Sequence, residues 1–201
     1  MPPYEEINNN IDDILQAVGP AHVAQYDWLI QNINLIATIE YQRQFKTFFR
    51  LTGAGLSQTY CHAYFHFLEA GLNNNAIHLD SLAHDLYQIP INTGRQALEF
   101  SFCTKLCHML NRELPIYDVN IRIFYNFVEP PRHLLTDQRI AAYVHFHQFL
   151  IAEYNRVLNE GLLAPSIQAF RQHLAPQHFT DIKIIDSLIW AFIKLRRRRM
   201  N

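Results

Sequence analysis

Lys105 and Asp118 are the two residues of this sequence whose types and spacing could carry out a reaction together. An amine beside a carboxylate can divide two roles, the amine forming a covalent bond and the carboxylate stabilising positive charge as it develops. Leu98, Phe102, Leu106, Met109 and Leu110 recur at three- and four-residue steps, which predicts a helix from about Arg95 to Asn111 carrying Lys105. Pro115 cannot continue that helix. Asp118 stands just before a second apolar-periodic run, Val119, Ile121, Ile123, Phe124 and Phe127, where a carboxylate can accept the orphan amides of a helix start. Each residue also has a plain structural reading: Asp118 as an N-cap only, Lys105 as a solvated helix charge.

Thr104-Lys105, a helical run, Pro115, an aspartate and then Val119-Asn120 together resemble the catalytic segment of the helix-hairpin-helix DNA glycosylases, over the stretch 104–120. In that superfamily a lysine that attacks the sugar is followed by a helix, a proline and an essential aspartate at the start of the next helix. The resemblance implies a DNA glycosylase that excises a modified or damaged base to leave an abasic site, working on DNA without a cofactor or metal. Bacterial and antiphage members of such families attack modified bases in invading DNA, so antiviral defence is one role it implies. It casts Asp118 as the stabiliser of oxocarbenium character or the group that orients the attacking one, and Lys105, where it reaches the anomeric carbon, as a Schiff-base nucleophile. Flipping a base out of the stack costs a few kcal/mol, which the site recovers by stacking and edge contacts. Phe100, Phe102, Tyr117 and Tyr125, with Asn120, flank the pair and are the candidates for contacting the base. The lysine-to-aspartate interval is 13 residues here, shorter than the family's, and no glycine-apolar-glycine hairpin precedes Lys105 to clamp a DNA phosphate.

Composition sets the frame for these residues. With 201 residues, 49% of them hydrophobic and 13% aromatic, the chain can bury a sizeable core as a single domain spanning 1–201, and disorder is excluded. Lys194, Arg196, Arg197, Arg198 and Arg199 hold five of the seventeen basic residues. Twelve basic against eighteen acidic residues remain elsewhere, a balance of −6. Such a body does not coat DNA generically, so DNA contact is expected from a local cleft together with the C-terminal arginines. Arg43, Lys46 and Arg50, spaced i, i+3 and i+7, offer a second basic stripe; a solvated face is the plainer cause of either cluster.

Cys61, Cys103 and Cys107 are too few for a disulfide framework, and no secretory leader opens the sequence, which points to the cytoplasm. Ile184 to Leu195 is the most apolar segment, but Asp186 and Lys194 interrupt it, so a buried helix is expected and not a membrane span. His62 and His66 stand at i and i+4 without the glutamate of a zinc-protease motif, and no metal site is expected. No obligate protein partner is evident.

Prolines and glycines punctuate segments of helical length and period, with no alternating strand pattern, and predict an all-α fold. Expected helices cover Ile7 to Val18, closed by Gly19-Pro20; Ala21 to Leu51 as one helix or two; Ser57 to about Ala70, ended by Gly71 and Asn73 to Asn75; and Asp80 to Tyr87. After the central pair come Thr136 to about Glu160, Ser166 to Leu174 with Ser166 as cap, and Thr180 to Arg198. Glu129-Pro130-Pro131-Arg132 is the best hinge, marking a candidate lobe boundary near 129–133.

A non-enzymatic all-α interaction or regulatory protein with a basic tail is the competing function. Geometry discriminates: the enzyme reading needs Lys105 and Asp118 to open into one cleft lined by aromatics, whereas a Lys105 facing bulk solvent and an Asp118 that only caps would end it.

Overall fold

Helix α1 (Tyr4–Asn9) leads directly into α2 (Ile11–Gln31) in the computed structural model of the chain, which describes residues 2–74 and 77–200. Gly19, at φ 72° and ψ 155°, breaks α2 into two arms, a conformation that glycine adopts without steric cost. Pro20 then takes the first position of the second arm, where its missing N–H is not needed. The long apolar run from Ala21 resolves into two helices, because α2 stops at Gln31 and a 3₁₀ turn (Ile33–Leu35) intervenes before α3 (Ile39–Phe48). Thr38 caps α3 by accepting the Tyr41 amide.

Helix α4 (Gln58–Asn74) runs on past Gly71 and does not end there as expected. A β-carbon on Gly71 would collide with the Leu110 side chain, so this glycine marks the close approach of α4 to a later helix. The expected stop at Asn75 lies outside the described residues. After α5 (Leu79–Tyr87), the central helix α6 spans Phe100–Leu110 and begins about five residues later than its periodicity predicts. The Gly94 amide bonds the Ile91 carbonyl and the Ile91 amide bonds the Arg95 carbonyl, closing a turn that consumes the start of the expected helix.

Helix α7 (Val119–Phe124) is a short element, halted where Asn126 enters the left-handed region at φ 53°. Helix α8 (Thr136–Asn159) ends at Gly161 (φ 67°), followed by α9 (Ala164–Leu174) and α10 (Asp181–Met200). Ser166 caps nothing; it is buried and donates to Asn8 at 2.6 Å. Thr180 does cap α10, accepting the Lys183 amide. The described residues thus form ten α-helices and no strand, an all-α fold.

α10 is the helix around which the others gather, packing against α2, α7 and α9. Its residues from Ile182 to Ile193 are buried on every side apart from Trp190, as a helix apolar around its whole circumference must be. Lys183, Asp186 and Ser187 are buried with them. Among the described residues no helix is long and apolar enough to cross a membrane.

Candidate active site

The segment 114–118 crosses the molecule between α6 and α7, and side chains from three helices hold its backbone. His108 of α6 donates from Nδ1 to the Leu114 carbonyl at 2.7 Å, since a carbonyl can only accept. Burial holds this imidazole far below its usual range, at about 3, so it is neutral and its Nε2 accepts the Tyr26 hydroxyl at 2.7 Å. From α8, His147 donates from Nε2 to the Pro115 carbonyl at 2.8 Å. Asp186 of α10 accepts the Ile116 amide at 3.2 Å, and Thr104 of α6 accepts the Tyr117 amide at 3.0 Å. Asp118 then starts α7, its Oδ1 taking the amides of Asn120 (2.7 Å) and Ile121 (2.9 Å). Both bonds fall on one oxygen. Oδ2 holds no hydrogen bond among the described residues, so the carboxylate caps a helix and still presents an acceptor.

That acceptor borders a cleft of about 570 Å³, within the common range for ligand sites of roughly 300–1,000 Å³. Lys105 lines the same cleft. Its amine, half-buried, lies 4.7 Å from the centre of the Phe102 ring and donates to the Phe49 carbonyl at the end of α3. Burial pushes the amine down to about 8; the Asp118 carboxylate opposes this and the Lys183 ammonium adds to it. A lysine so placed is about one-tenth neutral at pH 7, against less than about one part in a thousand for an ordinary lysine, and the neutral form is the one that attacks carbon. One wall is a stack of flat rings, His22 lying 4.7 Å from Phe48 and 5.4 Å from Trp190, nearly parallel to the latter at 12°. Burial, with Lys183, Lys194 and Arg50 nearby, drops His22 to about 3 and keeps it neutral.

No protein-family model, curated protein or solved structure matches this chain.

Of the candidate base contacts, Tyr117, Phe102 and Asn120 line the cleft with Lys105 and Asp118. The Tyr117 hydroxyl is engaged, donating to Glu129 at 2.9 Å. Phe100 and Tyr125 do not line it. Phe100 is buried and stacks on Tyr143 at 5.0 Å, while Tyr125 bonds the Tyr4 hydroxyl at 2.9 Å and packs on Phe124 and Phe149. Both are near the pair in sequence, but their rings are taken up by these contacts and not by the opening.

The basic stripe divides. Arg43 is clamped by Glu40 on the same helix through two bonds of 3.0 and 2.8 Å, and Lys46 is half-buried. Arg50 lies beyond the end of α3, in the left-handed region at φ 58°, exposed on the rim of the cleft. The C-terminal arginines are the last turns of α10 and not a loose tail. Arg199 pairs with Asp13 at 2.7 Å and Arg196 approaches Glu6 at 3.9 Å, both charges partly neutralised by α1 and α2; Arg197 and Arg198 are exposed. His62 and His66 are exposed on α4, and no cluster of metal-ligating residues occurs among the described residues.

Sequence reasoning missed the floor of the cleft. Lys183 and Asp186 line it from α10, both buried, yet the only signal was a charge interrupting an apolar run. His22 and Trp190 likewise gave no sign of meeting, being 168 positions apart.

Proposed function

We propose that this chain is a DNA N-glycosylase that removes a base by attack of Lys105 on the sugar. The observation carrying the proposal is that Lys105, its amine lowered by burial, shares one aromatic-walled cleft with an Asp118 whose Oδ2 is uncommitted. The neutral Nζ attacks C1′ of the deoxyribose as the C1′–N bond breaks, its electron pair leaving with the base. Asp118 stabilises the positive charge spread over C1′ and the ring oxygen. The attached amine gives up a proton; the C1′–O4′ bond then breaks, O4′ takes up a proton, and a Schiff base remains. The rings of Phe48, His22 and Trp190 give the cleft an apolar wall against which a flat, unstacked base packs. Arg50 stands at the rim, where a phosphate flanking the flipped nucleotide would pass.

The test is incubation with duplexes carrying assorted modified bases, followed by hot alkali, which breaks the strand at any abasic site. Cleavage at one modified position supports the reading, and an intact strand across a broad panel removes it. Borohydride reduces a Schiff base to a stable amine and should link the protein to the DNA that it excises.

A further inference from the structure

Lys183 bears on the chemistry above only through its charge, which helps to lower the Lys105 amine, and its surroundings are unusual. It is 6% exposed, and its ammonium lies over the rings of Tyr26 at 5.2 Å and Phe48 at 5.8 Å, at the floor of the cleft. Among the described residues it makes no hydrogen bond and no ion pair. Asp186, one turn further along α10, attracts it through space without forming an ion pair; its Oδ1 accepts the Tyr154 hydroxyl at 2.8 Å and its Oδ2 the Ile116 amide at 3.2 Å. Burial lowers this amine while the Asp186 and Asp118 carboxylates hold the proton on it, and in the protonated form it has three donors and no acceptor. Burying an ammonium without a protein partner is costly, and the aromatic faces together with the solvent of the cleft, which the amine still touches, offset only part of that cost. Nothing in the packing asks for it: a methionine would fill the same space without the charge. Lys183 lines the same cleft as the Lys105–Asp118 pair and the stack of His22 and Trp190.

Resting on the glycosylase reading, we propose that Lys183 is the specificity-determining residue, donating to a carbonyl oxygen on the edge of the flipped base. The chain would then accept bases that present an oxygen at that position and reject those presenting an amino group, because an exocyclic amine would set donor against donor. A site built to hydrogen-bond its substrate discriminates strongly, since the wrong partner leaves its buried group unpaired.

Two base pairs of ligands isolate this contact: hypoxanthine against adenine, and uracil against cytosine, each differing by oxygen for amine. Each base is placed opposite an abasic spacer, so that no Watson–Crick partner is lost on flipping, and on a 2′-fluoro sugar that blocks excision, so that binding is read apart from chemistry. The wild type should bind the oxygen member of at least one pair about 10-fold or more tightly than its amino counterpart. Lys183→Met should bind both members alike while keeping its affinity for undamaged duplex. Thermal melting is followed alongside; should Lys183→Met not fold, Lys183→Gln, whose amide both donates and accepts, must show the same loss of preference. A Lys183 variant that keeps the wild-type preference overturns the proposal. So does a wild type that binds all four bases alike while still excising a modified base, an outcome that leaves the glycosylase reading standing. A wild type that neither excises a base nor is trapped by borohydride removes the glycosylase reading, and this proposal with it.

Discussion

The Thr104 hydroxyl accepts the Tyr117 amide at 3.0 Å, and each of these residues is the immediate chain neighbour of a cleft residue, Lys105 on one side and Asp118 on the other. One hydrogen bond between a helix and the following segment therefore sets the register of amine against carboxylate. Thr104 is fully buried and also turns toward the Ser101 carbonyl at 3.0 Å, so its hydroxyl has little freedom to settle elsewhere.

Thr104→Val keeps the shape of the side chain and removes that acceptor. The Tyr117 amide is left buried and unpaired, which should cost about 1–3 kcal/mol in urea unfolding. With the register of amine against carboxylate loosened, excision falls as well, by up to about 100-fold for a displacement near 1 Å. Thr104→Ser restores the hydroxyl and should recover most of both. A Thr104→Val protein of unchanged activity would show that the pair does not depend on this bond.

The lowered amine of Lys105 predicts a pH profile. Only the neutral form attacks, so below about 8 the rate should climb ~10-fold per pH unit and level off above it. Stability moves the same way over a higher window. The folded state loses this proton near 8 and the unfolded chain near 10.5, so between those values the unfolded state binds more protons and stability rises with pH. Below 8 both states are protonated and the full desolvation cost of the ammonium is present. Lys105→Met should abolish excision, raise the melting temperature at pH 7 and shrink the rise between 8 and 10.5, leaving the part due to the lowered amine of Lys183. A single-turnover rate that is flat from pH 6 to 9 would remove the neutral amine from the mechanism.

Which parts of this site were legible in the sequence follows from the range of the forces involved. Asp118 was readable as a cap because capping is local, acting between a carboxylate and amides two and three residues on. The helical period of α6 was readable too, but its start was not, since the turn at 91–95 and not the apolar pattern decides where it begins. Gly71 misled for a related reason: a glycine can mark a helix end or a helix crossing, and only the approach of Leu110 separates the two. Lys183, His22 and Trp190 reach the cleft through the packing of α10 against α2, a long-range relationship that no local pattern encodes. Phe100 and Tyr125 failed as base contacts because aromatic type and nearness in sequence do not fix which face of an element is open.

The basic residues should separate into two classes by salt dependence. Arg196 and Arg199 face Glu6 and Asp13, whereas Arg50, Arg197 and Arg198 make no ion pair among the described residues. Replacing either paired arginine with alanine should change stability by no more than about 1 kcal/mol, as exposed ion pairs do. Each unpaired arginine that touches a phosphate should, when replaced, flatten the log-log salt dependence of DNA binding by about 0.9. Arg50→Gly offers a cleaner case, because glycine relieves the left-handed backbone at φ 58° and should stabilise the fold by about 1 kcal/mol while it weakens DNA binding. A salt slope that is unchanged in Arg50→Gly and in Arg197→Ala/Arg198→Ala alike would detach DNA from both surfaces.

Asp118→Asn separates the two duties of that side chain. Asparagine caps helices about as well as aspartate, so its oxygen can still take the Asn120 and Ile121 amides, and stability should fall by less than about 1 kcal/mol. What disappears is the negative charge beside the sugar. The glycosylase reading predicts a folded protein whose excision has dropped by at least about 100-fold, the scale of losing a principal electrostatic stabiliser. A cap alone predicts no change in excision. Lys105→Ala addresses a different step: the wild type should be trapped on its DNA by borohydride and this variant should not. Trapping absent in both while excision persists would make water the nucleophile and leave Lys105 a charge in the wall. Full excision by Asp118→Asn would remove the carboxylate from the reaction and, with it, the assignment of this cleft as a glycosylase site.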